Sequence, residues 1–362
     1  MKVLIAGYYG FKNLGDELIL SKIIDDIRSI EKDAEIVVWS GDVEYTGRIQ
    51  RVRAVDRFSI DKTVEAVKDT DYVITGGGGL IQEYYGIDVK DIFGSFGYNV
   101  PAYAIVPLLA NIFQKPLFYW SHGIGPIFTK EGKRFTKWFY SLANSVTVRD
   151  KYSYNFIKEL SPDLKNIYLD TDPVLHLNID KFVTKKFSLS KDKRKIGINL
   201  RPWFAVDEII ERLVIGFNDI KDDLANIILV PIPFDLSLDK PIVEKFINKL
   251  EDIRICNLLE ELNSAEDVIS LINSVDCFIG TRLHSIVVSR LLKKPTLSIS
   301  YDIKTDEFAN LLGIQSIHLS DILKKSIGAT VLNFINSNDK NEHQMKIEYK
   351  TPEIFKEFLK NG

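Results

Sequence analysis

Met1-Lys-Val-Leu-Ile-Ala-Gly7, a helical pattern over Glu17–Ile30, and Glu35–Trp39 open the chain. They read as a buried strand, a glycine turn, an amphipathic helix and a second strand. In the helix, Leu18, Ile19, Ile23, Ile24 and Ile27 recur on one side, at the spacing of a 3.6-residue period. Two strands separated by a helix-length segment cannot close as a hairpin. They pair in parallel, as a βαβ unit.

The same alternation runs outward from this unit. Thr63–Lys68 reads as a helix and Tyr72–Thr75 as a strand leading into Gly76-Gly-Gly-Gly79. Val100–Phe113 reads as a buried helix, with Pro101 tolerated in its first turn. Leu117–Ser121, Lys130–Ala143 and Ser145–Val148 follow as strand, helix and strand. The pattern lapses after Asp172-Pro-Val-Leu175 and resumes with strands at Lys195–Leu200, Ala225–Ile232, Arg254–Asn257, Val275–Ile279 and Thr296–Ser300. Helices are expected between them, with a last pair at Asp306–Leu312 and Asp321–Ile335. The expected fold is therefore α/β: two Rossmann-like, doubly wound domains facing a cleft. They span 1–178 and 195–336, joined by a polar, Lys-rich linker at 179–194. Residues 337–362 are expected as a polar loop and a short C-terminal helix.

Composition narrows the function. The 362 residues are 45% hydrophobic and 27% charged, with 47 Lys+Arg against 50 Asp+Glu and a net charge of −3. That balance argues against a mainly electrostatic nucleic-acid binder. The two cysteines, Cys256 and Cys277, make neither a disulfide framework nor a metal-type spacing, which fits a reducing compartment. The apolar stretch Val100–Phe113 falls short of the roughly 18–20 residues needed to span a bilayer. A soluble cytoplasmic protein is the expectation.

Ligands of such folds bind outside the carboxyl ends of the strands, so residues just past strands are the candidates. After the first strand come Gly7-Tyr-Tyr-Gly10-Phe-Lys-Asn13-Leu-Gly15-Asp16, neither a dinucleotide fingerprint nor a Walker A loop. Asn13 and Asp16 are candidates there, the plainer alternative being that Asp16 caps the helix. Four consecutive glycines are entropically costly to order, so Gly76–Gly79 suggest close backbone approach to a ligand, with Gly77, Gly78 and Gln82 as contacts. His122, in a second glycine loop, is either a substrate contact or a hydrogen-bonded loop histidine. Arg149 lies one residue beyond a strand, with a local pair to Asp150 as the plainer alternative. Arg201, beside Trp203, could grip an anion or a sugar face.

The sharpest signal is Gly280-Thr-Arg282-Leu-His284-Ser285, followed by Tyr301-Asp-Ile-Lys304. Neighbouring parallel strands would bring Arg282, His284 and Lys304 to one edge, where a helix N-terminus already favours an anion. Arginine can chelate phosphate or carboxylate, lysine supplies a point charge, and histidine can move a proton near neutral pH. No His-Glu-x-x-His, metal-like cluster or Gly-x-Ser-x-Gly elbow occurs, so no metal site is expected.

These stretches carry a resemblance. Gly7-Tyr-Tyr-Gly-Phe-x-Asn-x-Gly-Asp-Glu17, Gly76–Leu80 with Gln82, and Gly123-Ile-Gly-Pro126 look like the polysaccharide pyruvyl transferase family. Thr147-Val-Arg-Asp150, Asp172-Pro-Val174, Arg282-Leu-His-Ser285 and Tyr301-Asp-x-Lys304 continue the likeness. It is closest to the bacterial CsaB-type enzymes that pyruvylate cell-wall polymers. Two departures fall in the first half and bear on the acceptor. His122 stands where the family often has Gln, and Glu83 where Asp often follows the glycine run.

The resemblance implies two Rossmann-like domains arranged as in GT-B enzymes. It also implies transfer of the pyruvyl unit of phosphoenolpyruvate, as donor substrate and without a cofactor, onto two sugar hydroxyls as a ketal. By similarity, Arg149, His284 and Lys304 hold or activate phosphoenolpyruvate, on the side of the second domain; Arg282 is added on charge grounds. The first domain would take the acceptor, N-acetylmannosamine in a lipid-diphosphate-linked disaccharide. Peripheral contact with the inner membrane face would follow from that carrier. His284 could serve as acid or base, and Asp16 or Asp172 as the hydroxyl-activating base. The competing readings are a nucleotide-sugar-dependent GT-B glycosyltransferase and a non-catalytic carbohydrate- or anion-binding protein.

Overall fold

Short runs of buried, largely β-branched residues build two parallel sheets. The computed structural model describes residues 1–84, 86–92, 100–203, 206–324, 326–337 and 347–361. The chain divides into two units: Met1–Leu177 with Ile347–Gly362, and Asn178–Lys346.

Among the described residues, the first unit holds β1 (Lys2–Ala6), β2 (Glu35–Ser40), β3 (Arg53–Asp56), β4 (Tyr72–Thr75), β5 (Gly78–Ile81), β6 (Leu117–Ile124), β7 (Ser145–Val148) and β8 (Ile167–Leu169). The order is β3-β2-β1-β4-β6-β7-β8, with β5 beside β6. All pairings are parallel, and β1 lies between β2 and β4. Helices covering both faces explain why the central strands read as continuous apolar runs rather than alternating ones. The strand order reverses between β1 and β4, and in open α/β sheets ligands bind outside the carboxyl ends at such a reversal.

The first helix runs Leu14–Ile30, three residues earlier than expected. The Asn13 side chain caps it by accepting from the Gly15 N–H at 3.2 Å. Asp16 is thus a first-turn residue and not the cap. The glycine run is only partly a loop, because Gly78 and Gly79 begin β5. Gly78 takes φ +98°, a backbone region that glycine enters without a Cβ penalty. The stretch from Val100 is a 3₁₀ turn, Val100–Ala104, followed by the α-helix Ile105–Ile112. Strands β3 and β8 were not expected, being short and bearing charged or exposed residues.

The second unit holds β9 (Arg194–Asn199), β10 (Ile227–Pro231), β11 (Cys277–Gly280), β12 (Thr296–Ser300) and β13 (Gln315–His318), in the order β10-β9-β11-β12-β13. Here too the pairings are parallel. The order reverses between β9 and β11. Arg254–Asn257, expected as a strand, makes only an isolated bridge from Ile255 to Leu229. The expected helix Asp321–Ile335 is instead Leu319–Ile322 and Gly328–Asn336.

Residues 179–194, expected as a linker, lie with the second unit. Ser270 Oγ accepts from the N–H groups of Thr184 and Lys185, and Lys185 pairs with Asp267. Part of the polar loop expected before the last helix, 338–346, lies outside the described residues. The helix Thr351–Asn361 packs on the first unit.

Candidate active site

The carboxyl edge of the second sheet gathers the strongest motif. The exit of β9 carries Asn199 and Arg201, that of β11 carries Thr281 and Arg282, and that of β12 carries Tyr301. Arg201 lies between two aromatic rings, its guanidinium carbon 4.7 Å from the centroids of both Trp203 and Tyr301. It also donates to the Tyr301 hydroxyl. Cation–π contact and this hydrogen bond hold the guanidinium, and Arg201 lines a pocket with Leu200, Ile209, Ile210 and Ile299.

His284 and Lys304 sit in the first turns of helices Leu283–Leu291 and Ile303–Leu311. Those helices leave the adjacent strands β11 and β12. His284 is half-buried and Lys304 is buried. The parallel register therefore delivers both to one sheet edge, as the strand-exit argument anticipates.

Arg282 is engaged differently from the expectation. Its Nε donates to Asp239 Oδ1 and Oδ2 at 2.9 and 2.8 Å, and its Nη2 to Asp239 Oδ1 at 2.7 Å. Asp235 Oδ2 stands 3.5 Å from the same Nη2. Burial opposes the guanidinium charge, but Asp239 and Asp235 outweigh it and hold the group protonated. Two carboxylates facing one guanidinium leave no net positive charge, so these contacts turn Arg282 inward to the protein. Asp239 and Asp235 were not expected. The rule that singled out the other strand exits would have reached Asp235 had it been applied to β10.

In the first unit, Arg149 Nη1 donates to Asp172 Oδ2 at 2.6 Å; Asp150, the partner in the plainer alternative, is 4.0 Å from Nε. Both groups are buried. Burial opposes the Arg149 charge, and Asp172 followed by Asp150 raises its pKa nonetheless. Gly123 makes room for this side chain, since a Cβ there would stand 2.7 Å from Arg149 Nε. The second oxygen of Asp172 accepts from the Val174 N–H at 3.0 Å, capping the turn Pro173–His176. With both oxygens engaged and no exposure, Asp172 orients Arg149 and is poorly placed as a base.

Asp16 is half-buried, and a Cβ on Gly78 would lie 2.8 Å from its Oδ1. A Cβ on Gly77 would stand 3.0 Å from the Trp120 carbonyl oxygen and 3.1 Å from that of Ser121. Gln82 is half-buried. Glu17, fully packed in the next helix position, accepts from the Gly10 N–H at 2.8 Å. Burial pushes its pKa up to about 7.

His122 corrects the expectation of a substrate contact. It is 0% exposed, with Nε2 3.0 Å from the Thr75 carbonyl and Nδ1 3.2 Å from the Tyr140 hydroxyl. Its ring stacks on Tyr119 at 4.8 Å. Burial lowers its pKa to about 4, which makes it a neutral core histidine. Glu83, the other departure noted above, accepts from the N–H groups of Phe128 and Thr129 at 2.5 and 2.8 Å. It thereby ties down the start of helix Lys130–Ser141.

Residues 13–303 match the sequence profile of the family described as Polysaccharide pyruvyl transferase. The chain belongs to this family. As a pyruvyl transferase it also shares its fold with solved sugar-nucleotide enzymes. A putative UDP-N-acetylglucosamine 2-epimerase from Listeria monocytogenes aligns at TM-score 0.67 and 11% identity, over 100% of this chain and 98% of that one. The UDP-GlcNAc 2-epimerase from Neisseria meningitidis, solved with UDP-GlcNAc, aligns at 0.64 and 11% over 100% of both. The E. coli ADP-heptose heptosyltransferase II aligns at 0.51 and 16%, over 93% and 98%. At these identities the likeness shows the fold: two Rossmann-like units in one chain, the GT-B class.

Of the expected site residues, Asn13, Asp16, Gly77, Gly78, Gln82, Arg149 and Asp172 belong to the first unit, and Arg201, Arg282, His284 and Lys304 to the second. No cluster of three or more His, Cys, Asp or Glu able to hold a metal ion occurs among the described residues. None of the described helices is long and apolar enough to cross a membrane.

Proposed function

We propose that this transferase moves the pyruvyl group of phosphoenolpyruvate onto the 4- and 6-hydroxyls of a sugar as a ketal, releasing phosphate. The acceptor we favour is N-acetylmannosamine of a lipid-diphosphate-linked cell-wall precursor, as in CsaB-type enzymes. That acceptor would bring a cytoplasmic protein to the inner membrane face. The observation carrying the reading is the pair of motifs on adjacent strand exits, Arg282-Leu-His-Ser285 and Tyr301-Asp-x-Lys304, in a chain of this family.

In the mechanism, His284 protonates the methylene carbon of phosphoenolpyruvate, leaving a cationic C2 stabilised by its oxygen. One sugar hydroxyl adds to C2 and loses its proton to a base, a role to which Asp172 is poorly suited with both of its oxygens engaged. The bond from C2 to the phosphate oxygen then breaks, phosphate departs and the cation re-forms. The second hydroxyl adds, loses its proton and closes the ketal. Lys304 balances the carboxylate and the departing phosphate, and Arg201 contributes a further held cation. No resident cofactor is called on.

The test is mass spectrometry of candidate acceptors incubated with phosphoenolpyruvate, with phosphate release followed in parallel. A gain of one pyruvate less one water, with one phosphate per sugar, is expected. Release of a nucleoside diphosphate from a sugar nucleotide would instead favour the glycosyltransferase reading.

A further inference from the structure

We propose that Asp239 is a positioning residue for His284, acting through Arg282 and Asn199. The inference rests on the reading of His284 as the proton donor and adds to it a support that the motif does not contain. Asp239 is 0% exposed and lies 43 residues before Arg282, in the turn after β10. Its Oδ2 accepts from the N–H groups of Phe234 and Asp235, both at 3.0 Å, and from Asn199 Nδ2 at 3.2 Å. Its two oxygens also receive the Arg282 fork described above. A single carboxylate thus links the exits of β10, β9 and β11.

The link continues to both sides of His284. Asn199, also 0% exposed, turns its Oδ1 to the Arg282 N–H and to Ser285 Oγ, each at 3.2 Å. Ser285 Oγ further donates to the Arg282 carbonyl at 2.7 Å. Arg282 is the N-cap position of helix Leu283–Leu291, and its own side chain, committed to Asp239, makes no capping bond. Asn199 and the Arg282–Asp239 pair hold this helix start from both the backbone and the side chain of Arg282. His284 is the second residue of this helix. A buried fork-to-carboxylate pair is rigid because two parallel bonds fix orientation as well as distance, and small displacements of a reacting group cost about 10²-fold in rate.

Two variants read this. Asp239→Asn keeps an acceptor for the backbone N–H groups and removes the charge. Arg282→Lys keeps the charge and removes the fork, so it reads the link from the other end if the first variant does not fold. In each folded variant, the His284 ring signals in nitrogen–proton NMR without substrate, assigned with His284→Gln, are expected to move. With phosphoenolpyruvate and an acceptor, kcat is expected to fall about 10–100-fold while KM for phosphoenolpyruvate stays within about twofold. Unmoved His284 signals would overturn the proposal. So would a raised KM at unchanged kcat, which would make Arg282 a direct ligand of the donor. If the wild-type protein forms no ketal with any acceptor, the pyruvyl-transfer reading fails, and the ring signals still decide whether Asp239 sets His284.

Discussion

At the scale of single residues, two buried groups make opposite pH contributions. His122 has a folded-state pKa of about 4 against an ordinary 6.5, because burial disfavours its charged form. Between those values the unfolded chain takes up a proton that the native state refuses. Stability from this group is full above pH 6.5 and is lost as pH falls toward 4, by roughly 3 kcal/mol. Glu17 runs the other way, from an ordinary 4.5 to about 7. The native state keeps its proton, so stability is full below pH 4.5 and falls as pH rises through 7, by a similar amount. The two slopes oppose one another between pH 4.5 and 6.5. His122→Gln, which can still donate to the Thr75 carbonyl, should expose the Glu17 slope: melting temperature should fall as pH rises across that window. Glu17→Gln should expose the His122 slope, with melting temperature rising. Melting curves of both variants at pH 4.5, 5.5 and 6.5 check the signs. His284→Ala, by contrast, should leave the melting temperature near wild type while ketal formation drops at least 10²-fold. Undiminished turnover would remove His284 from the mechanism.

At the scale of elements, the turn at the end of β4 shows what a glycine run does. A Cβ on Gly76 would stand 1.8 Å from the Tyr9 hydroxyl and 3.3 Å from Ile23 Cδ1, and the Tyr9 hydroxyl is itself fully buried. Gly76→Ala should therefore displace a core tyrosine and cost about 1–3 kcal/mol, measured by chemical denaturation at neutral pH. The repeated glycines were read as close backbone approach to a ligand, whereas at Gly76 what approaches is a side chain from the turn after β1. The helix after β1 was legible from its apolar period, whereas its start depended on which polar residue takes the cap, and Asn13 took it rather than Asp16. Edge strands such as β3 and β13 escaped the reading because half-exposed strands lack the continuous apolar signal of central ones.

At the scale of the whole molecule, the C-terminal segment is integral to the first unit. Phe355 is 0% exposed and its ring lies 5.1 Å from those of both Phe118 and Trp120. Tyr349 accepts from Trp120 Nε1 and donates to Asp26 Oδ2, each at 2.9 Å. Asp170 accepts from the N–H groups of Lys350 and Thr351. Truncation after residue 346 should bare Trp120, shift its fluorescence to longer wavelength and lower the melting temperature. An unchanged spectrum would show that the segment contributes no cover. By itself, the sequence determined the alternation of strand and helix, the parallel sheets and the motifs of the pyruvyl transferase family. Those features rest on local periodicity and on turn chemistry within a few residues. Only the tertiary structure decided which charges face each other. Arg282 and Asp239 are 43 residues apart, and Arg149 and Asp172 are 23 apart. A buried ion must find its partner through space, and no local pattern records where that partner lies.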